Sequence, residues 1–235
     1  MIDKVINIAK EAGDIIRNAF RSNFGVETKS NIKDLVTEVD KKSEETIINF
    51  IKKEFPTHSI LAEESGNHQR SSEYFWVIDP LDGTTNFAHG LPIFAVSIGV
   101  VKGGEVICGA VYDIMRDVMY SSEKGSGSFA NDRKLHVSSN SDIKQSVLVT
   151  GFPYNVASNP DNAFERFITF LKSARAVRRL GSAAIDMCFV AEGVFDGFWE
   201  VYLNPWDIAA GKLIVEEAGG VVTDFNNKRS EIFSK

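Results

Sequence analysis

The chain is expected to fold as α+β, with sheets and helices in layers, and three features point there. Two amphipathic helical patterns open the chain, short apolar runs bounded by turn residues follow from Ser59, and strand and helix patterns alternate after about residue 141. The antiparallel-rich first part (about 1–140) and the mixed α/β second part (about 141–235) are read as one domain.

From Ile2 to Arg21, Val5, Ile8, Ala12, Ile15, Ile16 and Ala19 recur at helical spacing. A polar stretch then leads through Asp34-Leu35-Val36-Thr37-Glu38-Val39-Asp40 into a second periodic run with Ile47, Ile48, Phe50 and Ile51, ending near Pro56. Thr37 is the expected N-cap, because its hydroxyl can accept the free N–H groups of a first turn; Asp40 then falls in that turn. Strands are expected at Ser59–Ala62, Phe75–Ile78, Phe94–Val101, Glu105–Tyr112 and Asp117–Ser121, with Lys102-Gly103-Gly104-Glu105 as a hairpin turn. The second part reads as strand Ser146–Thr150, helix 161–173, strand Ala176–Leu180, helix Ser182–Ala191, strand Gly197–Tyr202, helix Trp206–Ala218 and strand Val221–Phe225.

With 43% hydrophobic and 25% charged residues over 235 positions, the chain can bury a sizeable core and is not a disordered polymer. It contains no apolar run of bilayer-spanning length, and Met1-Ile2-Asp3-Lys4 does not open a secretory signal, so no membrane role and a cytoplasmic setting are expected. Cys108 and Cys188 lack metal-ligand spacing and read as reduced thiols. A net charge of -6 disfavours nucleic acid as a partner. It would also repel a phosphate ester unless bound cations invert the local sign.

Chemistry concentrates in Trp76-Val77-Ile78-Asp79-Pro80-Leu81-Asp82-Gly83-Thr84-Thr85-Asn86. Pro80 has no N–H for a ladder and stiffens the strand exit. The turn can aim Asp79 and Asp82 at one point and leave the Leu81 carbonyl as a third oxygen donor, a set that suits a hard cation such as Mg2+. Gly83 allows close backbone approach, and Thr84-Thr85 can open a helical turn toward a phosphate. Asp-Gly alone is ordinary turn chemistry. In Glu63-Glu64, adjacent side chains diverge, so at most one faces such a site. Asp207, after Pro205, reads by itself as a helix N-cap.

Taken together, Asp34-Leu-Val-Thr-Glu-Val-Asp40, Glu63-Glu-Ser-Gly66, Trp76 through Asn86, Gly181-Ser-Ala-Ala184 and Trp206-Asp207 through Glu217-Ala-Gly-Gly220 resemble the inositol monophosphatase family, within the wider lithium-sensitive, Mg2+-dependent phosphatases. The resemblance implies an α-β-α-β-α sandwich of the inositol monophosphatase or sugar phosphatase type, two or three Mg2+ ions per site, lithium sensitivity and a homodimer. It implies that Glu63, Asp79 and the Leu81 carbonyl hold one metal and that Asp79, Asp82 and Asp207 hold the second. Gly83 and Thr84 match the phosphate-binding turn, Asp40 the partner of Thr84 that orients the attacking water, and Ala183 and Glu200 the polyol contacts. Catalytic roles thus fall to Asp40, Glu63 and Thr84. Lys29 matches a lysine of a mobile loop, and equally reads as a solvated charge.

Family members usually continue beyond Gly220 with another strand and a final helix, whereas this sequence stops after a polar run. The expected reaction is direct attack of water on a small phosphate monoester, inositol monophosphate first. Fructose 1,6-bisphosphate, NADP(H) or a 3'-phosphonucleotide are the alternatives within the same chemistry, and a non-catalytic binding protein is the alternative outside it. Arg178-Arg179 either meets a second phosphate or stays at the surface, the latter favoured, and His89 is expected in a surface loop. No Gly-x-x-x-x-Gly-Lys-Ser/Thr string supports a P-loop enzyme.

Overall fold

A computed structural model describes residues 1–23, 25–28 and 35–233. In chain order its helices and strands are α1 (Ile2–Ala19), β1 (Val26–Thr28), β2 (Leu35–Thr37), α2 (Glu38–Glu54), β3 (Ser59–Ala62), β4 (Gly66–His68), β5 (Tyr74–Asp82), α3 (Thr84–Ala88), β6 (Ala95–Lys102), β7 (Glu105–Asp113), β8 (Val118–Glu123), β9 (Ser128–Ala130) and β10 (Arg133–Lys134). There follow β11 (Val147–Thr150), α4 (Ala163–Ser173), β12 (Ala176–Arg178), α5 (Ala183–Ala191), β13 (Gly197–Trp199) and α6 (Pro205–Glu217).

The large sheet has the order β10-β9-β8-β7-β6-β5-β3-β4, antiparallel except where β3 runs parallel to β5. On one face, α1 and α2 bury Val5, Ile8, Ile16, Ile47 and Ile51 against Trp76, Ile78, Ile98 and Tyr112. The opposite face packs Ala95, Val111 and Tyr120 against Ile185, Cys188, Ala210 and Ile214 of α5 and α6. Beyond these helices lies the parallel sheet β12-β11-β13, with α4 packed on β12. The layers are therefore α-β-α-β-α, as the family resemblance implies. α5 and α6 are apolar nearly all round because they lie between two sheets, and only a few polar residues interrupt them.

Several element expectations need correction. β5 does not end before Pro80; it continues to Asp82 through a register shift against β6 between Asp79 and Asp82, since an irregularity tolerates a residue without an N–H. Val221–Phe225 is not a strand. Val221 is 85% exposed, and Asp224 Oδ1 accepts the N–H groups of Asn226 and Lys228, folding the segment into a turn closed by a single Thr223–Arg229 bridge. The helix expected from residue 161 starts at Ala163, because Pro160–Asn162 forms a tight 3-10 turn with Asp161 at φ 48°. β12 and β13 stop at Arg178 and Trp199, which leaves Arg179 and Glu200 beyond strand ends, facing a cavity.

Candidate active site

A cavity of about 420 Å³ is lined by Glu63, Asp79, Leu81, Asp82, Gly83, Thr84, Ala183, Glu200 and Asp207, together with Arg179, Ser182 and Asp186. The irregular end of β5 supplies its floor. Asp79, 2% exposed, accepts the Leu81 N–H through Oδ1 at 3.0 Å, and this local bond turns the chain so that Asp82 follows onto the same cavity. Gly83 then adopts φ 96°, and a Cβ there would stand 3.0 Å from the Ile93 carbonyl oxygen and 3.3 Å from that of Gly181. Only glycine fits this left-handed, crowded position ahead of α3.

One face of α2 holds the surrounding loops. Asp40, Ser43 and Glu44, at i, i+3 and i+4, are all buried. Thr37 is the N-cap, with its Oγ1 accepting from Val39 N at 3.2 Å and Asp40 N at 3.3 Å, while Asp40 Oδ2 accepts the Thr37 N–H at 2.9 Å. Asp40 Oδ1 is thereby held 2.9 Å from Thr84 Oγ1, which also lies 3.0 Å from the Leu81 carbonyl oxygen. A hydroxyl has one proton, so Thr84 serves one of these acceptors at a time. Ser43 Oγ donates to the Pro80 carbonyl at 2.9 Å. Glu44 accepts the backbone N–H groups of Glu64 and Ser65 at 2.8 and 2.9 Å, fixing the turn that presents Glu63; Glu64 does not line the cavity.

The opposite wall comes from the middle helices. Asp82 Oδ2 accepts Ser182 Oγ–H at 2.6 Å and Ala184 N–H at 2.7 Å, which ties β5 to the first turn of α5. Asn86 Nδ2 donates to the Ile93 and Leu180 carbonyls at 2.8 and 2.9 Å. Asp207 is not an N-cap. Asn204 is, and Asp207 Oδ2 reaches back to the Asn204 N–H at 2.6 Å in a capping box.

Electrostatically the carboxyls resist ionisation together. Burial raises Asp79 well above the usual range, and Glu63, Asp82 and Asp207 add repulsion; a hydrogen bond between Glu63 and Asp79 requires a proton on one of them. Asp207 is raised by burial and by Asp82, Glu63 and Glu200 despite its bond to Asn204. Asp82 is pushed up to about 6 by burial, with the Ser182 and Ala184 bonds opposing. Burial likewise lifts Asp40, against its bonds from Thr37 and Thr84. Asp186 rises to about 9 and Glu200 to about 8, burial first and then Asp82, with Arg179 opposing both.

Among the described residues, no three His, Cys, Asp or Glu side chains are arranged to hold a metal ion as they stand. The donor set nevertheless fits one chemically: hard oxygen donors, four carboxyls and a buried carbonyl, around a cavity where they repel each other unless protonated or neutralised. Each carboxyl bonded through one oxygen keeps a second for a cation.

The cavity therefore gathers Glu63, Asp79, Leu81, Asp82, Gly83, Thr84, Ala183, Glu200 and Asp207, with Asp40 one bond behind Thr84. Lys29 lies outside the described residues. His89 is exposed and is not among the lining residues. Arg178 and Arg179 are both exposed, as the surface expectation has it, and Arg179 also borders the cavity, its guanidinium 5.8 Å from the Phe152 ring centroid. Sequence reasoning missed Glu44, Ser182 and Asp186. Asp186 carries one legible signal, an acid within the apolar helical run Ala-Ala-Ile-Asp-Met-Cys-Phe-Val.

Comparison with known proteins shows which family this chain resembles over its whole length. The model of the inositol monophosphatase family matches residues 1–234. The fructose-1,6-bisphosphatase/inositol-1-monophosphatase of Aquifex aeolicus is 44% identical over 94% of this chain and 86% of its own. The Nus factor SuhB of Pasteurella multocida is 42% identical over 100% and 88%. Among solved structures, the Thermotoga maritima IMPase superposes with a TM-score of 0.90 at 38% identity, covering 99% of this chain and 89% of that one. An IMPase/NADP phosphatase complexed with Mg2+ and phosphate gives 0.83 at 25% identity, covering 95% and 83%.

Proposed function

The chain belongs to the inositol monophosphatase family, and from that premise we propose that it is a Mg2+-dependent phosphatase of a small phosphate monoester, inositol monophosphate foremost. The observation that carries this reading is the gathering of Glu63, Asp79, the Leu81 carbonyl, Asp82 and Asp207 on the cavity that also holds the Thr84–Asp40 pair.

In this reading Glu63, Asp79 and Leu81 O hold one ion and Asp79, Asp82 and Asp207 another, two or three ions per site in all. When bound, Mg2+ supplies the positive charge that offsets the phosphate and makes water a stronger nucleophile at neutral pH. The backbone of Gly83 and Thr84 cradles the phosphate at the head of α3. Thr84 orients the attacking water, accepting from it while donating to Asp40, so Asp40 is the end of the proton path. Ala183 and Glu200 receive the alcohol portion. Attack by water itself is supported by the thiols: burial pushes Cys108 up to about 12 and Cys188 upward too, and neither lines the cavity.

Arg179 at the cavity wall favours a second reading, the same chemistry on a sugar bisphosphate, in keeping with the name of the Aquifex relative. Phosphate release from inositol monophosphate, fructose 1,6-bisphosphate, NADP and a 3'-phosphonucleotide, each with Mg2+ and with EDTA, separates the readings. Release from inositol monophosphate only with Mg2+ is expected. Preference for another ester corrects the substrate, and a folded protein that releases phosphate from none is a binding protein.

Lithium inhibition, a homodimer and a cytoplasmic setting belong to the same proposal. Exposed Tyr154, Phe164, Ile168 and Leu171 in the second part support a dimer, which light scattering tests. No helix among the described residues is long and apolar enough to cross a membrane.

A further inference from the structure

Asp186 stands at the cavity wall with no role in the reaction as described so far. It is 1% exposed, lines the cavity, and its Oδ1 has no hydrogen-bond partner among the described residues. Buried polar atoms nearly always find partners, and an unpaired one destabilises the fold more than an apolar group of the same shape. Here the orphan sits beside the space a ligand would enter, where a ligand atom can complete it.

Its surroundings define the chemistry of that atom. Asp82 and Glu200 act on it as negative charges and Arg179 as a single positive one. A second phosphate would bring further negative charge among three acids. A hydroxyl brings none, and it can donate to a carboxylate or accept from a carboxylic acid, so it fits Asp186 in either state.

We propose that Asp186 is a specificity-determining residue, hydrogen-bonding a hydroxyl of the alcohol portion of the phosphate ester beside Glu200. This rests on the phosphatase reading and narrows its substrate class to polyol monophosphates.

The test compares two esters with Mg2+ present: inositol 1-phosphate, rich in hydroxyls, and phenyl phosphate, which has none on its alcohol portion. Asp186→Leu is expected to raise KM for inositol 1-phosphate about tenfold, the loss of one buried hydrogen bond, and to leave phenyl phosphate within about twofold. Its ligand-free Tm should stay equal or rise, because an unpaired polar group has been removed. Asp186→Asn, which still bonds a hydroxyl, should stay within about threefold of wild type on both esters. An equal KM change on both esters, or no change on either, overturns the proposal. If the Leu chain does not fold, Asp186→Ala carries the same two-ester comparison. A wild-type protein that cleaves neither ester sinks the phosphatase reading and this inference with it. A wild type that cleaves both, with variants that do not discriminate, sinks this inference alone.

Discussion

Thr84 Oγ1 lies 2.9 Å from Asp40 Oδ1, joining the first turn of α3 to the first turn of α2. If this pair takes the proton of the attacking water, Thr84→Ala and Asp40→Asn should each lower kcat by about 10²–10⁴ while KM changes little. Asp40→Ala should also lose stability, by about 1 kcal/mol, because Asp40 closes the capping box with Thr37. Steady-state kinetics alongside thermal melts separate the two effects. A Thr84→Ala enzyme with wild-type kcat would remove the pair from the mechanism.

Glu44 acts at a distance from the phosphate, through the backbone of Glu64 and Ser65. Glu44→Ala leaves two N–H groups without their acceptor and should destabilise the fold by about 1–3 kcal/mol. With the Glu63 turn loosened, half-saturation by Mg2+ should also shift upward, by about tenfold. Unchanged denaturation and unchanged metal dependence would show that α2 does not fix this turn.

Gly151 packs against the other end of the cavity. A Cβ there would fall 2.2 Å from Glu200 Oε2, so Gly151→Ala must displace the Glu200 carboxyl. KM for inositol monophosphate should rise about tenfold with kcat nearly kept, as expected when binding shared by ground and transition states is lost. A variant with wild-type KM would show that Glu200 does not receive the alcohol portion.

The raised acids make the metal-free protein sensitive to alkali. Asp82 at about 6, Glu200 at about 8 and Asp186 at about 9 bind protons in the folded state that the unfolded chain has already released. Their stabilising contribution is complete below the ordinary carboxylate range and is lost as pH rises through these values. In EDTA, Tm should therefore fall between about pH 5 and pH 9, and Mg2+ should raise Tm more at about pH 8.5 than at about pH 6, because cations compete with protons for the same oxygens. Thermal melts across this range check it; a Tm in EDTA that climbs with pH would show that the acids are not crowded.

What the sequence made legible divides by the range of the interaction. The Thr37 cap, the Gly103-Gly104 hairpin and the helical turn at Thr84 are local and follow from turn and cap chemistry. Family spacing placed the acids that share the cavity, although they come from separate elements. The bonds of Glu44 to the 64–65 turn and of Asp82 to Ser182 were not legible, because the first depends on how α2 packs against the turn between β3 and β4 and the second on how α5 packs against the end of β5. Val221–Phe225 misled for a related reason: its short β-branched run, Val221-Val222-Thr223, resembles a strand, yet its pairing is limited to one bridge from Thr223 to Arg229.

The most direct test measures phosphate release from inositol monophosphate against Mg2+ concentration, for the wild type and for Asp79→Asn. Asp79 is the carboxyl assigned to both ions, so its loss should abolish release at limiting Mg2+, with the wild type silent in EDTA and active when Mg2+ is restored. An Asp79→Asn protein that matches the wild type at limiting Mg2+, or a wild type indifferent to EDTA, would contradict the role given to the acidic cavity.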